Sequence, residues 1–263
     1  MNTVGIEVKC PSGLRGVIRP LVVGDISSLS APANRKAPDP LGLLFRNVWQ
    51  KTLDAGPYGA AEGVEEGKGI DRWEKILVGD RAFLVFESRR ITYGDEFFFT
   101  VPCRSCRTKI EWKLDLSELE ASGLSEEALE GVGTTSIDRA TFYRQLPQGL
   151  QRVGLRLLTG EHQRKVELAK QGGDQQMSEA ALLCRLADID GASSPGERRE
   201  FIRAMSLLDL DYLREQWEDL DIFVTDTIDI ECTACGGEQE IMIPTDERFF
   251  SPKSARPRKR RKQ

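Results

Sequence analysis

The chain has a single histidine, His162, in 263 residues, with four tryptophans, four tyrosines and four methionines. It has no run of about 18 apolar residues, which excludes a hydrophobic membrane-spanning helix,. Met1 to Lys9 lacks the basic start and apolar stretch of a secretory signal, so the protein is expected to stay in the compartment where it is made,. Gly-x-Ser-x-Gly, Walker A, His-Glu-x-x-His and Gly-x-Gly-x-x-Gly patterns are missing; Gly63 to Lys68 is too short for a phosphate loop and has no Ser or Thr after its lysine,. His162, between Glu161 and Gln163 at a polar helix start, is expected on the surface and not as a general base,. No enzyme mechanism is legible, and the expectation is a protein that is not an enzyme.

What is present is an ordinary globular composition, 40% hydrophobic and 30% charged, enough to bury a sizeable core in one elaborated domain or two,. The net charge of -5 hides an asymmetry. Residues 251–263 carry seven Lys/Arg and no Asp/Glu, which leaves -12 on residues 1–250. The basic end reads either as a solvated extension or as an electrostatic arm toward an acidic partner.

Patterning divides the chain as follows. Residues 1–25 read as a β-hairpin, with Val4 to Lys9 alternating, a Pro11-Ser12-Gly13 turn, and Gly16 to Arg19 returning,. Residues 26–94 read as a helical segment: a helix over Leu41–Leu53, a flexible Gly-rich loop at 54–70, and two further helices with Asp71 and Asp80 as N-caps, the second ending at Gly94,. Residues 95–116 and 221–245 read as two hairpins: aromatic Phe97 to Val101 returns through Thr108 to Leu114, and Thr227 to Glu231 returns through Glu240 to Ile243,. Between them, 117–220 reads as a mainly helical insertion with starts at Ser178, Ser194 and near Asp209, and 246–263 as a C-terminal extension,. The expected fold class is α+β.

Each hairpin turns on Cys-x-x-Cys: Cys103 and Cys106 in the first, Cys232 and Cys235 in the second. A tight Cys-x-x-Cys turn brings two thiolates to one point, and two such knuckles complete the tetrahedron that structural Zn2+ takes, with no position left open for water. The expectation is therefore a split zinc ribbon; reduced structural cysteines, a disulfide or a redox dithiol are the alternatives. Gly236 follows the second knuckle where a positive φ is often needed, whereas Arg107 stands there in the first,. Cys10 and Cys184 stand alone, the latter on an apolar helix face. Asp188, Asp190, Gly191 and Glu197 fall near calcium-loop spacing, but Leu186 occupies the first position, and Ser194-Pro195-Gly196-Glu197 is a capping box that accounts for the glutamate without an ion,.

Several segments in order carry a resemblance: Pro11-Ser12-Gly13-Leu14 with Ile18-Arg19-Pro20-Leu21, then Leu77 to Leu84, Ile91-Thr92-Tyr93-Gly94, both knuckles, Ile189-Asp190-Gly191 and Phe249-Phe250. Together they resemble the baseplate hub and tail-assembly proteins of contractile-tailed bacteriophages, related to the baseplate hub subunits of T-even-type phages. The resemblance runs from about residue 5 to residue 252 and stops short of the Arg/Lys-rich end. It implies a non-enzymatic virion structural protein of the tail baseplate, assembled in the host cytoplasm, whose partners are hub, spike, tube or wedge subunits. No membrane contact is expected. The alternative is a zinc-ribbon nucleic-acid binder: Arg104, Arg107, Lys109 and Lys113 favour it, while Asp226, Asp229, Glu231, Glu238 and Glu240 around the second knuckle would repel phosphate,.

Overall fold

The computed structural model describes residues 5–31, 39–59, 63–131, 136–192, 194–245 and 247–250; the basic end, 251–263, lies outside them. Helices and small antiparallel sheets alternate along the chain, an α+β arrangement. Among the described residues no helix is long and apolar enough to cross a membrane.

β1 (Ile6–Lys9) and β2 (Arg15–Ile18) pair antiparallel as the alternation predicts. A third strand that the sequence does not announce, β3 (Trp49–Asp54), pairs with β2. The helix expected to run to Leu53 stops at Val48. The reason is a tertiary contact overriding propensity: the Trp49 indole covers Gly16 so closely that a Cβ there would come within 2.1 Å of the ring,. The segment expected to be a flexible loop also packs, because Tyr58, Val64 and Ile70 are buried and Thr52 exchanges backbone bonds with Gly67 and Lys68; residues 60–62 lie outside the described residues.

Neither Asp71 nor Asp80 is an N-cap. Trp73–Lys75 forms a single 3-10 turn, and the helix Val78–Tyr93 is entered from Leu77 and ends, as expected, at Gly94 with φ 85°. Asp80 lies in that helix's first turn, fully buried. Its carboxylate accepts the Ser12 amide (3.0 Å) and the Tyr58 hydroxyl (2.6 Å), and Tyr58 Oη in turn accepts the Leu77 amide (3.1 Å). Burial raises its pKa, and the hydrogen bonds from Ser12 and Tyr58 oppose that rise,. One side chain thus ties the first hairpin, the Gly-rich segment and the central helix together.

The two Cys-x-x-Cys hairpins match the sequence pattern closely: β4 (Glu96–Pro102) pairs with β5 (Lys109–Asp115), and β9 (Thr227–Glu231) with β10 (Glu238–Met242). Between them the chain is not only helical. β6 (Phe142–Gln145), β7 (Arg152–Leu155) and β8 (Leu186–Ile189) make a three-stranded sheet. Four-residue strands are too short for alternation to separate them from helix. Ser194 caps its helix as expected; Ser178 lies inside the helix Asp174–Arg185, and the last long helix starts after Ser206 with Asp209 in its first turn. Insertion and N-terminal half share one hydrophobic core, running from Val8 through Trp73, Leu155 and Leu213 to Phe250.

The C-terminal extension begins inside that core. Glu247–Phe250 is a helical turn in which Phe249 is fully buried, edge-on to Phe86 and Phe97, and the Arg89 guanidinium lies over the rings of Phe249, Phe97 and Tyr93.

His162, expected at the surface, is buried. It sits three residues into the helix Gly160–Lys170, and its Nδ1 accepts the Thr159 amide (3.2 Å), taking the place of the glutamate in a capping box,. Burial, then the nearby Arg156 and Lys165 charges, pull its pKa down to about 4. The unfolded chain, with a histidine near about 6.5, binds the proton more readily between those two values, so stability falls as pH is lowered from about 6.5 to about 4. Urea unfolding across this window is expected to show a loss of roughly 2–3 kcal/mol in the parent. The slope should flatten in His162→Gln, whose amide oxygen can still accept the cap bond.

Candidate metal centre

Within each hairpin the turn is built the same way. Cys103 donates its amide to the Thr108 carbonyl (2.9 Å) and accepts the Arg107 amide (3.0 Å); Cys232 donates to Gly237 (2.9 Å) and accepts from Gly236 (2.7 Å). Closing this turn requires a left-handed residue after the second cysteine. Gly236 supplies it at φ 67°, and Arg107 adopts it at φ 61° despite its Cβ. The sequence difference between the knuckles is therefore a difference in strain and not in geometry.

The inner faces of the two hairpins pack on each other: Ile110 from one and Ile230 and Ile241 from the other enclose the buried Cys103 and Cys232, while Cys106 and Cys235 face solvent. Among the described residues no strand of one hairpin pairs with a strand of the other. The four Sγ atoms nonetheless lie within 4.8 Å of one another. Across the hairpins, Cys103 to Cys235 is 3.8 Å and Cys106 to Cys232 is 3.7 Å. No disulfide is formed; those separations are well beyond the S–S bond of about 2.05 Å. They match a tetrahedral tetrathiolate, in which a metal–sulfur bond of about 2.3 Å sets the sulfurs about 3.8 Å apart. This group could hold a metal ion, and its geometry is compatible with zinc.

The Thr108 hydroxyl and amide draw the Cys106 thiol down to about 6, and the amides of Cys106 and Ser105 lower Cys103. Cys235, although the Gly237 amide favours its thiolate, is pushed up to about 12 by hydrogen bonding to Cys106, Cys232 and Cys103. Four thiolates cannot gather here without a cation to offset their repulsion.

The other residues singled out in the sequence do not assemble a site. Glu197 closes the capping box with Ser194 (2.7 and 3.2 Å), Asp188 lies in β8, and among the described residues the four cysteines are the one group placed to hold a metal. Cys10 is buried, and burial raises its thiol well above the usual range, as it raises Cys184 less strongly. One side chain near the centre was not anticipated. Gln239, buried on β10, accepts the Arg104 amide at Oε1 (2.7 Å) and donates from Nε2 to the Pro102 carbonyl (3.3 Å). The signal for it was a polar residue in the apolar phase of a strand, between Ile230 across the ladder and Ile241.

No protein-family model, curated protein or solved structure matches the chain.

The turn geometry yields a paired prediction. Gly236→Ala should destabilise the protein by about 1–2 kcal/mol, because a Cβ is then forced into the left-handed region, whereas Arg107→Gly should be neutral or slightly stabilising. Urea midpoints of the two variants beside the parent check both.

Proposed function

We propose that Cys103, Cys106, Cys232 and Cys235 hold one structural Zn2+, closing a split zinc ribbon. In this reading the protein is a non-catalytic structural or assembly component of a contractile phage tail baseplate, a hub subunit or an assembly factor. The observation that carries the metal reading is four sulfurs gathered within 4.8 Å, with two cross-hairpin pairs at tetrahedral spacing, between hairpins that share no backbone ladder. Four protein thiolates leave the metal no open position, which fits holding structure and not activating water.

The baseplate setting rests on the sequence resemblance, and the placement of the segments that carry it supports an architectural reading. Those at 11–14, 18–21 and 249–250 meet on the helix Val78–Tyr93: Ser12 bonds Asp80, the Leu21 amide donates to Thr92 Oγ1 (2.9 Å), and the Tyr93 hydroxyl donates to the Phe250 carbonyl (2.9 Å). Ser12, Leu21, Asp80, Thr92, Tyr93 and Phe250, all within those segments, thus join parts of the core. Partners in this reading are hub, spike, tube or wedge subunits in the virion.

The charge on the second hairpin counts against nucleic acid. Glu231 stands directly opposite Glu238, and Asp229 opposite Glu240, four exposed carboxylates on one face of β9–β10. Phosphate is repelled by such a face.

Elemental analysis of purified, reduced protein is expected to give one zinc per chain. Cys232→Ser should lower the melting temperature of the whole fold, since a structural zinc contributes binding energy on the order of 10 kcal/mol in small zinc peptides; well-folded parent without metal would sink the zinc reading. Disrupting the gene in a phage that encodes it should give particles without assembled baseplates. Complete, infectious tails would refute the assembly role, and a gel shift with DNA or RNA at moderate salt would favour the nucleic-acid reading.

A further inference from the structure

The two knuckles share one turn geometry, and at one buried position an aliphatic side chain in the first corresponds to an amide in the second. Counting four residues past the second cysteine of each pair reaches Ile110 on β5 and Gln239 on β10. Both are buried beside the sulfurs. An aliphatic side chain evidently satisfies the packing at one of the two equivalent places, so packing does not explain the amide at the other.

What the amide does is visible in its bonds. Gln239 spans from one hairpin to the other and grips the backbone on both sides of Cys103, taking the N–H of Arg104 at 2.7 Å and giving a proton to the C=O of Pro102 at 3.3 Å. A strand peptide makes the same pair of bonds to its neighbour in a sheet, and here a side chain makes them where the two hairpins have no ladder,. Apart from the sulfur pairs, these are the hydrogen bonds that cross between the hairpins among the described residues. Pro102 and Arg104 are otherwise exposed, so water can replace the amide without leaving a buried polar group unpaired,.

We propose that Gln239 is a positioning residue for the metal: it holds Cys103 with its sulfur 3.8 Å from that of Cys235, the spacing a tetrahedral ion requires, before the ion arrives,. This rests on the zinc reading above. Its physical basis is preorganisation, because a site whose halves are already in register does not spend binding energy on ordering them.

The test uses the full chain with Gln239→Ile, the residue that the other knuckle carries at this place. Zn2+ affinity is measured by competition with a chromogenic chelator, and the Co2+-loaded protein is examined for the charge-transfer absorption of four thiolate ligands. The expected result is one metal per chain, the four-thiolate signature retained, and affinity about 10–100-fold weaker than the parent. Unfolding of the metal-free protein should be unchanged, which a packing role would not leave so. Equal affinity in parent and variant overturns the positioning role alone; a parent that binds no metal overturns the zinc reading and this proposal with it. Should Gln239→Ile fail to fold, Gln239→Met, which keeps the length without donor or acceptor, takes its place, and failure of both to fold also overturns the proposal.

Discussion

The convergence of four sulfurs on one point is the constraint around which the two Cys-x-x-Cys hairpins are arranged. Two hairpins far apart in sequence are brought face to face without a shared ladder, held by a small apolar contact and the cysteines. The separation in sequence costs little. Loop closure grows only with the logarithm of length, by about 0.6 kcal/mol per doubling, so a long insertion is a modest addition to what a short ribbon loop would cost. The insertion is also clipped at its base, where Ala121 bridges Val224 and the Ser122 and Thr225 amides bond across to Phe223 and Glu120. Its own helices and sheet then join the main core.

A buried carboxylate plays the corresponding part in the proximal half. Asp80 is fully enclosed, yet each of its oxygens has a donor, from Ser12 on one side and Tyr58 on the other. The arrangement uses polar groups for register, where an apolar residue would allow the first hairpin to slide on the helix. The four gathered thiols and the satisfied carboxylate therefore do similar work, each joining segments that have no backbone ladder in common.

Much of this was legible in sequence where the signal was local. The four strands of the cysteine hairpins, the knuckles and the cap at Ser194 are each written within a few residues, so their readings needed no partner. The misreadings share the opposite property. Trp49 enters a strand because Gly16, far away, leaves room for its ring; Asp80 looks like a cap until Ser12 and Tyr58 supply its donors; His162 looks solvated until burial beside Arg156 and the Thr159 cap is seen. Gln239 was visible as a polar residue out of phase, but its purpose lies in the other hairpin. The cysteines were the exception among long-range features, since thiolate pairs at ligand spacing carry their own chemistry.

The order in which the knuckles leave the ribosome follows from the long interval between them. At about 5–20 residues per second, residues 107–231 take on the order of ten seconds to synthesise. Throughout that time Cys103 and Cys106 exist as a lone dithiol, with no second pair to share an ion. Such a half-site is open to oxidation and to metals that two ligands satisfy. In the zinc reading, the yield of correctly assembled protein is then set by the redox state and free zinc of the cell during translation, a kinetic bottleneck that no measurement on the finished fold would show.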